Sequence, residues 1–346
     1  MVSRLSENST GAYEVDLVLR RPNSLALRIN KLKFVGLWAV AAAAQKNYPR
    51  NLDEKPTFLT AGVRSMLLST FAFFMANVFV KQVAHIPAME TVFFRCIVAT
   101  IFCVYGLRRA KASLLGSNHG MLLLRGIFGT TALFCFFLTL QQMPLASAQT
   151  IQYLSPIFTA TIAIFVLGEK VQTVQWLFYA IAFSGVLVIE RFDDRISPLY
   201  LAIGILSAFC SGMAYNLVRS LRGREYPLTV VLHFQLVGAV VGFFSLFFQW
   251  EWPRNWDWLY LFLIGVFSQI GQMFLTNALQ RERIAGVAII NYTGLIYALT
   301  IGWFVFGEAQ PIISLLGMLL VVAGVIMSLI YGRRQSRLAA IEATAG

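Results

Sequence analysis

The chain has 346 residues, of which 58% are hydrophobic and only 13% are charged. Soluble globular proteins are about 25% charged, so this composition excludes an ordinary water-soluble domain and indicates a membrane protein. The net charge of +12 does not indicate a nucleic-acid-binding protein, because the basic residues lie between apolar runs rather than in one patch.

Residues 1–60 differ in composition from the rest of the chain. They contain nine Lys or Arg, five Asp or Glu, and no apolar run long enough to cross a membrane. The most apolar piece, residues 34–44, has about half of the roughly 20 residues that a membrane helix needs. Its basic flanks are typical of a signal peptide, but it begins well inside the chain. We predict a basic cytoplasmic tail that is disordered or lies along the membrane surface.

Ten apolar runs follow, each close to the length of a membrane helix. Helices are the default for such runs, since a backbone in lipid must satisfy its own hydrogen bonds. The predicted fold class is therefore all-α, a polytopic membrane protein with ten transmembrane helices. The runs cover residues 65–80, 88–107, 119–140, 146–167, 172–189, 198–218, 228–249, 258–279, 286–306 and 311–331.

The fourth run and the ninth run are copies of one another. Residues 149–170, QTIQYLSPIFTATIAIFVLGEK, correspond to residues 288–309, AIINYTGLIYALTIGWFVFGEA, at an offset of 139 positions. Over residues 140–187 this offset gives 15 identities in 48 positions without a gap. Residues 67–81 likewise resemble residues 205–219 at an offset of 138. We infer an internal duplication of five helices.

Because five is odd, the second copy must enter the membrane from the opposite side. If the N-terminus is inside, the inner connections beyond residue 65 hold twelve Lys or Arg and the outer ones hold four. This asymmetry favours two inverted five-helix repeats with both termini in the cytoplasm. The predicted units are the tail 1–60, a first repeat 61–190, a second repeat 191–332 and a cytoplasmic C-terminal tail 333–346.

Two stretches resemble a known family, MPLASAQTIQYLSPIFTATIAIFVLGEKV in the first half and RERIAGVAIINYTGLIYALTIGWFVFGEA in the second. Two five-helix halves, each with a fourth helix that ends in Gly-Glu, resemble the drug/metabolite transporter (DMT) superfamily, EamA type, over residues 62–332. The resemblance implies export or import of small metabolites, commonly amino acids or related compounds, without an ATP site. The second stretch has Leu295 in place of Pro156, so we expect its fourth helix to lack the proline kink.

Polar side chains inside lipid are costly and mark candidate substrate contacts. In the fourth run, Gln149, Gln152, Tyr153 and Pro156 share one helical face. The alternative is that such amides and hydroxyls pair between helices as packing contacts. The further candidates for substrate binding in other runs are Asn291, Tyr292, Tyr215, Gln269, Gln272 and His233.

Full charges inside the runs are few. Arg95 is a candidate for holding a carboxylate through planar, bidentate hydrogen bonds. Glu90 could bind an amine, carry a proton, or simply lie at the outer interface. Arg125 lies six residues into the third run, where we expect it to snorkel to the surface rather than contact substrate. The residues predicted to have structural or gating roles are Pro156, Gly168, Glu169, Gly307 and Glu308.

The sequence does not favour an enzyme, since it has no His-Glu-x-x-His motif, nucleophile elbow or phosphate-binding loop. The four cysteines lack the spacing of a zinc site or a disulfide framework, so neither a metal nor another cofactor is expected. Inverted repeats are a common plan of secondary transporters, with substrate bound between the halves near mid-membrane.

We therefore predict a plasma (inner) membrane transporter of small organic metabolites that works by alternating access. Amino acids or related compounds are the expected substrates, in export or facilitated diffusion. One alternative is a larger substrate, such as a nucleotide derivative or vitamin. An alternative of another class is a structural or receptor-like membrane protein. The expected partners are a small molecule, the lipid bilayer and a coupling proton, without nucleic acid, in a monomer or homodimer.

Overall fold

The computed structural model describes residues 61–167, 173–281 and 291–345. The predicted all-α class is confirmed for these ranges, which contain helices and connections but no strand. The helices are α1 (Ala61–Gln82), α2 (Ala88–Ala110), α3 (His119–Gln142), α4 (Leu145–Gln152), α5 (Ser155–Leu167), α6 (Thr173–Arg191), α7 (Pro198–Ser220), α8 (Pro227–Ser245), α9 (Asp257–Arg281), α10 (Thr293–Phe306) and α11 (Ile312–Ala345).

Seven helices contain a segment long and apolar enough to cross a membrane, namely α2, α3, α6, α7, α8, α9 and α11. They match seven of the ten predicted runs. Many large apolar side chains point away from the protein, among them Phe248 (87% exposed) and Ile312 (78% exposed). Contiguous exposed apolar surface of this kind is typical of a lipid-facing protein. The chain therefore forms a multi-pass membrane protein.

The fourth predicted run is not one helix but two. The backbone turns at Tyr153, which has φ −69° and ψ −4° at the end of α4. Around this turn the Leu154 amide donates to the Ile151 carbonyl oxygen at 3.0 Å, and the Ile157 amide donates to the Leu154 carbonyl oxygen at 2.9 Å. These bonds span three residues instead of four, as in a tight 3₁₀ turn. Pro156 then lies in the first turn of α5, where a missing amide proton is tolerated.

The ninth run has the same turn at the equivalent tyrosine. Tyr292 has φ −68° and ψ −14°, and the Leu295 amide donates to the Tyr292 carbonyl oxygen at 3.0 Å. Residues 282–290, which precede this turn, lie outside the described residues, so our expectation that the ninth run lacks the proline kink stays a prediction.

Helices α6 and α11 pack backbone against backbone at glycines. A Cβ added to Gly185 would lie 2.5 Å from the Gly317 carbonyl oxygen, and a Cβ added to Gly324 would lie 2.7 Å from the Phe178 carbonyl oxygen. Gly185 corresponds to Gly324, and Phe178 corresponds to Gly317, at the offset of 139 positions. The same contact is therefore made twice. The first half contributes the glycine in one contact and the carbonyl oxygen in the other, and the second half does the reverse.

A matched pair of hydrogen bonds joins α1 to α9 and α7 to α3. The Ser69 hydroxyl donates to the Gly271 carbonyl oxygen at 2.8 Å, and the Ser207 hydroxyl donates to the Ala132 carbonyl oxygen at 2.7 Å. Ser207 is the copy of Ser69, and Gly271 is the copy of Ala132. The duplicated sequence thus gives duplicated contacts between the halves.

Some predicted features lie outside the described residues, including the tail 1–60, Gly168 and Glu169. The C-terminal tail predicted from residue 333 instead continues α11, which extends to Ala345.

Candidate functional site

A cavity lined by both polar and apolar side chains lies between the two halves of the sequence. It has an empty volume of about 900 Å³, including its solvent-open part, and α1, α2, α3, α4, α7, α8 and α9 contribute to its lining. The residues that line it are Ser69, Phe73, Asn77, Arg95, Arg125, Gly129, Ala132, Leu133, Phe136, Phe137, Gln149, Gln152, Ser211, Ala214, Tyr215, Phe234, Ser268, Gln272, Leu275 and Asn291.

Two buried arginines are the only charged side chains among the described residues that line the cavity. The exposed fractions of Arg95 and Arg125 are 2% and 4%. Their guanidinium carbons lie 5.2 Å and 4.5 Å from the centroid of the Phe234 ring, within the range of a cation–π contact. Within the described part of the chain, neither arginine forms an ion pair with an acid.

The hydrogen bonds of the two arginines are incomplete. Arg95 Nη1 donates to the Gln235 amide oxygen at 3.3 Å. Arg95 Nε, Arg125 Nε and Arg125 Nη1 are buried and have no acceptor among the described residues. A buried charge is costly unless it is paired, so these donors favour an anionic ligand in the cavity.

Amide side chains of α4 line the cavity on another side. The Asn77 amide donates to the Gln149 oxygen at 3.0 Å. The Gln152 amide donates to the Ser211 hydroxyl at 2.7 Å, and its oxygen accepts from Ser207 at 2.9 Å. These groups link α4 to α1 and α7, so both predicted readings, cavity lining and helix pairing, hold for the same residues.

Six of the predicted substrate contacts lie in this lining: Arg95, Gln149, Gln152, Tyr215, Gln272 and Asn291. Asn291 also accepts a hydrogen bond from the Thr70 hydroxyl at 3.2 Å through its side-chain oxygen.

The two predicted tyrosines lie beside the cavity instead of lining it. The rings of Tyr153 and Tyr292 contact each other edge to face, with centroids 4.6 Å apart. The Tyr153 hydroxyl donates to the Asn291 carbonyl oxygen at 3.0 Å. Their contact joins the turn that follows α4 to the residue at the start of α10.

The remaining three predicted contacts also lie elsewhere. Gln269 is fully buried and donates to the Cys103 sulfur at 3.0 Å. His233 contacts the Thr229 carbonyl oxygen of its own helix at 3.0 Å. Glu90 is buried at the start of α2, where it accepts from the Glu251 amide at 3.0 Å. These bonds hold the three side chains within the helix packing, and the substrate contacts predicted for them stay predictions.

Arg125 is the residue that sequence reasoning assigned wrongly. It was expected to snorkel to the surface, but its side chain is 4% exposed and lines the cavity. Gly129, one turn along α3, leaves the space that its guanidinium group occupies, since a Cβ there would collide with Nη1. The Arg125/Gly129 spacing of four residues is a signal that could have indicated an inward-folded arginine.

Comparison with known proteins identifies the family. The model of the EamA-like transporter family matches residues 60–191 and again residues 198–330. The chain belongs to the EamA-like transporter family. The predicted resemblance to the drug/metabolite transporter superfamily is thereby confirmed, and the duplicated match agrees with the two copies found in the sequence.

Several named relatives of this EamA-like transporter cover most of its length. It is 30% identical to the pseudopaline exporter CntI of Pseudomonas aeruginosa over 78% of this chain and 95% of that protein. It is 29% identical to human solute carrier family 35 member G1 over 76% of this chain and 77% of that protein. It is 28% identical to an uncharacterized transporter of Helicobacter pylori over 78% and 94%. A solved crystal structure shares the fold, with a TM-score of 0.57 and 16% identity over 77% of this chain and 98% of that chain.

At one end of the EamA-like bundle, Lys81 of α1 forms an ion pair with Glu308, which follows α10. Glu308 also accepts from the Leu145 amide at 2.8 Å, and the Lys81 ammonium donates to the Met143 carbonyl oxygen at 2.7 Å. Gly307 has φ +65°, which suits glycine and ends α10 so that Glu308 turns back. Glu308 thus caps α4 of the other half. We call this cluster the Lys81 gate, after the gating role predicted for Glu308, which stays a prediction.

The opposite end is held by Glu225, in the connection between α7 and α8. Its carboxylate accepts from the Ser117 and Asn118 amides, both at 2.7 Å, and from their side chains at 2.7 and 3.0 Å. Partial burial raises the pKa of Glu225, but these hydrogen bonds outweigh it and hold the pKa at about 2. Gly116 has φ +68°, and an added Cβ would lie 2.7 Å from Glu225 Oε2. Glycine at this position therefore permits the contact.

Proposed function

We propose that this EamA-like transporter is a secondary carrier of a small organic metabolite that bears a carboxylate, such as an amino acid or a related compound. Export or facilitated diffusion by alternating access is the proposed mode. The observation that carries the proposal is Arg95, a buried guanidinium group without an acidic partner among the described residues, in a cavity between two duplicated halves.

A carboxylate suits this arginine for geometric and electrostatic reasons. A guanidinium group offers parallel N–H donors that match the two oxygens of a carboxylate, and charge-assisted bonds of this kind are about twice as strong as neutral ones. Arg95 Nε is unsatisfied, while Nη1 is oriented by Gln235. The amide of Gln272 also lines the cavity and can bind a hydroxyl or amino group of the same solute.

Alternating access is supported by the matched contacts between the halves. In an inverted repeat, exchanging the conformations of the two halves converts an outward-open state into an inward-open state of similar energy. The backbone contacts at Gly185 and Gly324 are of this exchangeable kind. In this proposal both termini are cytoplasmic in the plasma (inner) membrane, and the Lys81 gate closes the outer end.

The direction of transport is part of the proposal. One relative is named as an exporter, the pseudopaline exporter CntI. We infer export here from that name.

The test is uptake of a panel of labelled carboxylates, amino acids and neutral analogues into proteoliposomes, with and without a proton gradient. Wild type is compared with Arg95→Gln, and with Arg108→Gln as a matched control, since Arg108 is exposed near the end of the same helix. Saturable uptake of a carboxylate that falls at least tenfold in Arg95→Gln and persists in Arg108→Gln is the expected result. Equal uptake by all three proteins would contradict the proposal, and a gradient effect would indicate proton coupling.

A further inference from the structure

The proposed function leaves the second arginine of the cavity without an assigned role. Arg125 is 4% exposed, lies against Phe234, and has two buried donors, Nε and Nη1, without an acceptor among the described residues. We propose that the cavity selects metabolites with two carboxylate groups, one bound by Arg95 and the other by Arg125. This inference rests on the proposed function and narrows its substrate class.

The charge balance of the cavity carries the first part of the argument. The described lining contains two arginines and no Asp, Glu, Lys or His. Two like charges close together in a poorly solvated site repel each other, and neither has an acidic counterpart among the described residues. A solute with one carboxylate neutralises one of them, whereas a dicarboxylate neutralises both and satisfies the free donors of both.

The separation of the two arginines limits the size of the ligand. Both guanidinium carbons lie over the same Phe234 ring, at 5.2 Å and 4.5 Å from its centroid. They cannot be farther apart than the sum of these distances. A short-chain dicarboxylate of about four to six carbons can place one carboxylate at each guanidinium over such a separation.

The position of Arg125 is built into α3. Gly129 leaves room for the guanidinium group of Arg125. A Cβ added to Gly129 would also lie 2.8 Å from the nearest ring carbon of Phe234. An alanine at this position would have to displace Arg125 without removing its charge. Gly129→Ala therefore separates the placement of Arg125 from the presence of its charge.

The test compares each dicarboxylate with its own monoamide, which has the same shape but one carboxylate fewer. Labelled succinate, succinamate, glutamate and glutamine are supplied to proteoliposomes that contain wild type, Arg125→Gln, Arg125→Lys, Gly129→Ala or the exposed control Arg108→Gln. The measured quantity is the ratio of kcat/KM for acid over amide within one protein. A variant that is only partly folded lowers both rates and leaves this ratio unchanged.

We expect wild type and Arg108→Gln to prefer the diacid at least about tenfold, the value of one charge-assisted contact. The preference falls to within about threefold in Arg125→Gln and Gly129→Ala, and Arg125→Lys retains part of it. Equal rates for acid and amide in wild type, or an unchanged preference in Arg125→Gln, would overturn the inference while leaving a carboxylate carrier in place. No saturable flux of any of the four compounds, from folded protein, would overturn the proposed function as well.

Discussion

Neutralising Glu308 is expected to open the Lys81 gate. In Glu308→Gln the ammonium of Lys81 loses its counter-ion, and the weaker amide replaces the carboxylate at the α4 amide of Leu145. Because α1 and α4 come from the first half and Glu308 from the second, we expect these contacts to break when this end opens. Their loss should shift the population towards the state that is open at this end.

The size of the shift follows from the burial of the pair. The side chains of Lys81 and Glu308 are only 12% and 13% exposed. Breaking a fully buried pair costs about 3–5 kcal/mol, and an exposed pair contributes about 0–1 kcal/mol. At the edge of the bundle we expect about 2–3 kcal/mol, which corresponds to a roughly 30- to 150-fold change in the ratio of open to closed forms.

The assay is the labelling rate of a single cysteine by a membrane-impermeant maleimide added from the Lys81 side. Asn77→Cys is a suitable reporter, in a background without the four native cysteines, because Asn77 lines the cavity one helical turn below Lys81. Glu251→Gln is the matched control, since this acid lies at the same end with its side chain 46% exposed. The charge-swapped double variant Lys81→Glu/Glu308→Lys should restore much of the protection.

Labelling of Glu308→Gln should exceed that of wild type and of Glu251→Gln by at least tenfold. If the Glu308→Gln rate equals the wild-type rate, the ion pair does not hold this end closed and the reasoning fails. A charge swap that labels as fast as the single variant would show that the helix cap on α4, not the ion pair, is the important contact.

Three further predictions concern stability. Gly185→Leu should lower the melting temperature, because the leucine side chain would overpack against the α11 backbone at a cost of at least about 1–3 kcal/mol. Ser184→Leu is the control and should not lower it, because Ser184 is exposed. Equal melting temperatures for the two variants would contradict this prediction. Tyr153→Phe removes the hydrogen bond to the Asn291 carbonyl and should cost about 0.5–1.5 kcal/mol in a denaturant titration, so an unchanged midpoint counts against it. Glu225→Gln should cost about 1–3 kcal/mol at neutral pH. The pKa of Glu225 is about 2 in the folded protein, below its ordinary 4.5. The stability that the ionised carboxylate contributes is therefore present above pH 4.5 and is lost as the pH falls towards 2. A Glu225→Gln variant as stable as wild type at pH 7 would refute this prediction.

The helices were largely predictable because lipid leaves few alternatives to a helix for a long apolar run. The runs at 88–107 and 198–218 begin at the same residue numbers as α2 and α7. The turns at Tyr153 and Tyr292 were not predictable, since hydrophobicity continues through both. A local 3₁₀ turn is fixed by contacts with neighbouring helices, here the edge-to-face packing of the two rings, and not by composition.

The same turn explains the partial success of the site prediction. Gln149 and Gln152 share a face of α4 and both line the cavity, as the helical period predicts. Tyr153 would share that face in a continuous helix, but the backbone turns at this residue and the ring packs against Tyr292. Arg125 was misplaced for a different reason. Depth along a helix says how far a side chain must reach to leave the membrane, but not whether its neighbours hold it inside.

Counterflow tests the central claim most directly. Liposomes with the wild-type protein are loaded with the unlabelled carboxylate that gives the highest uptake, then diluted into a trace of the labelled compound. A carrier that alternates around Arg95 predicts transient accumulation of label above its equilibrium level, retained in Arg108→Gln and lost in Arg95→Gln. Label that only equilibrates, with no stimulation by the internal solute, or an overshoot that survives unchanged in Arg95→Gln, would contradict the account.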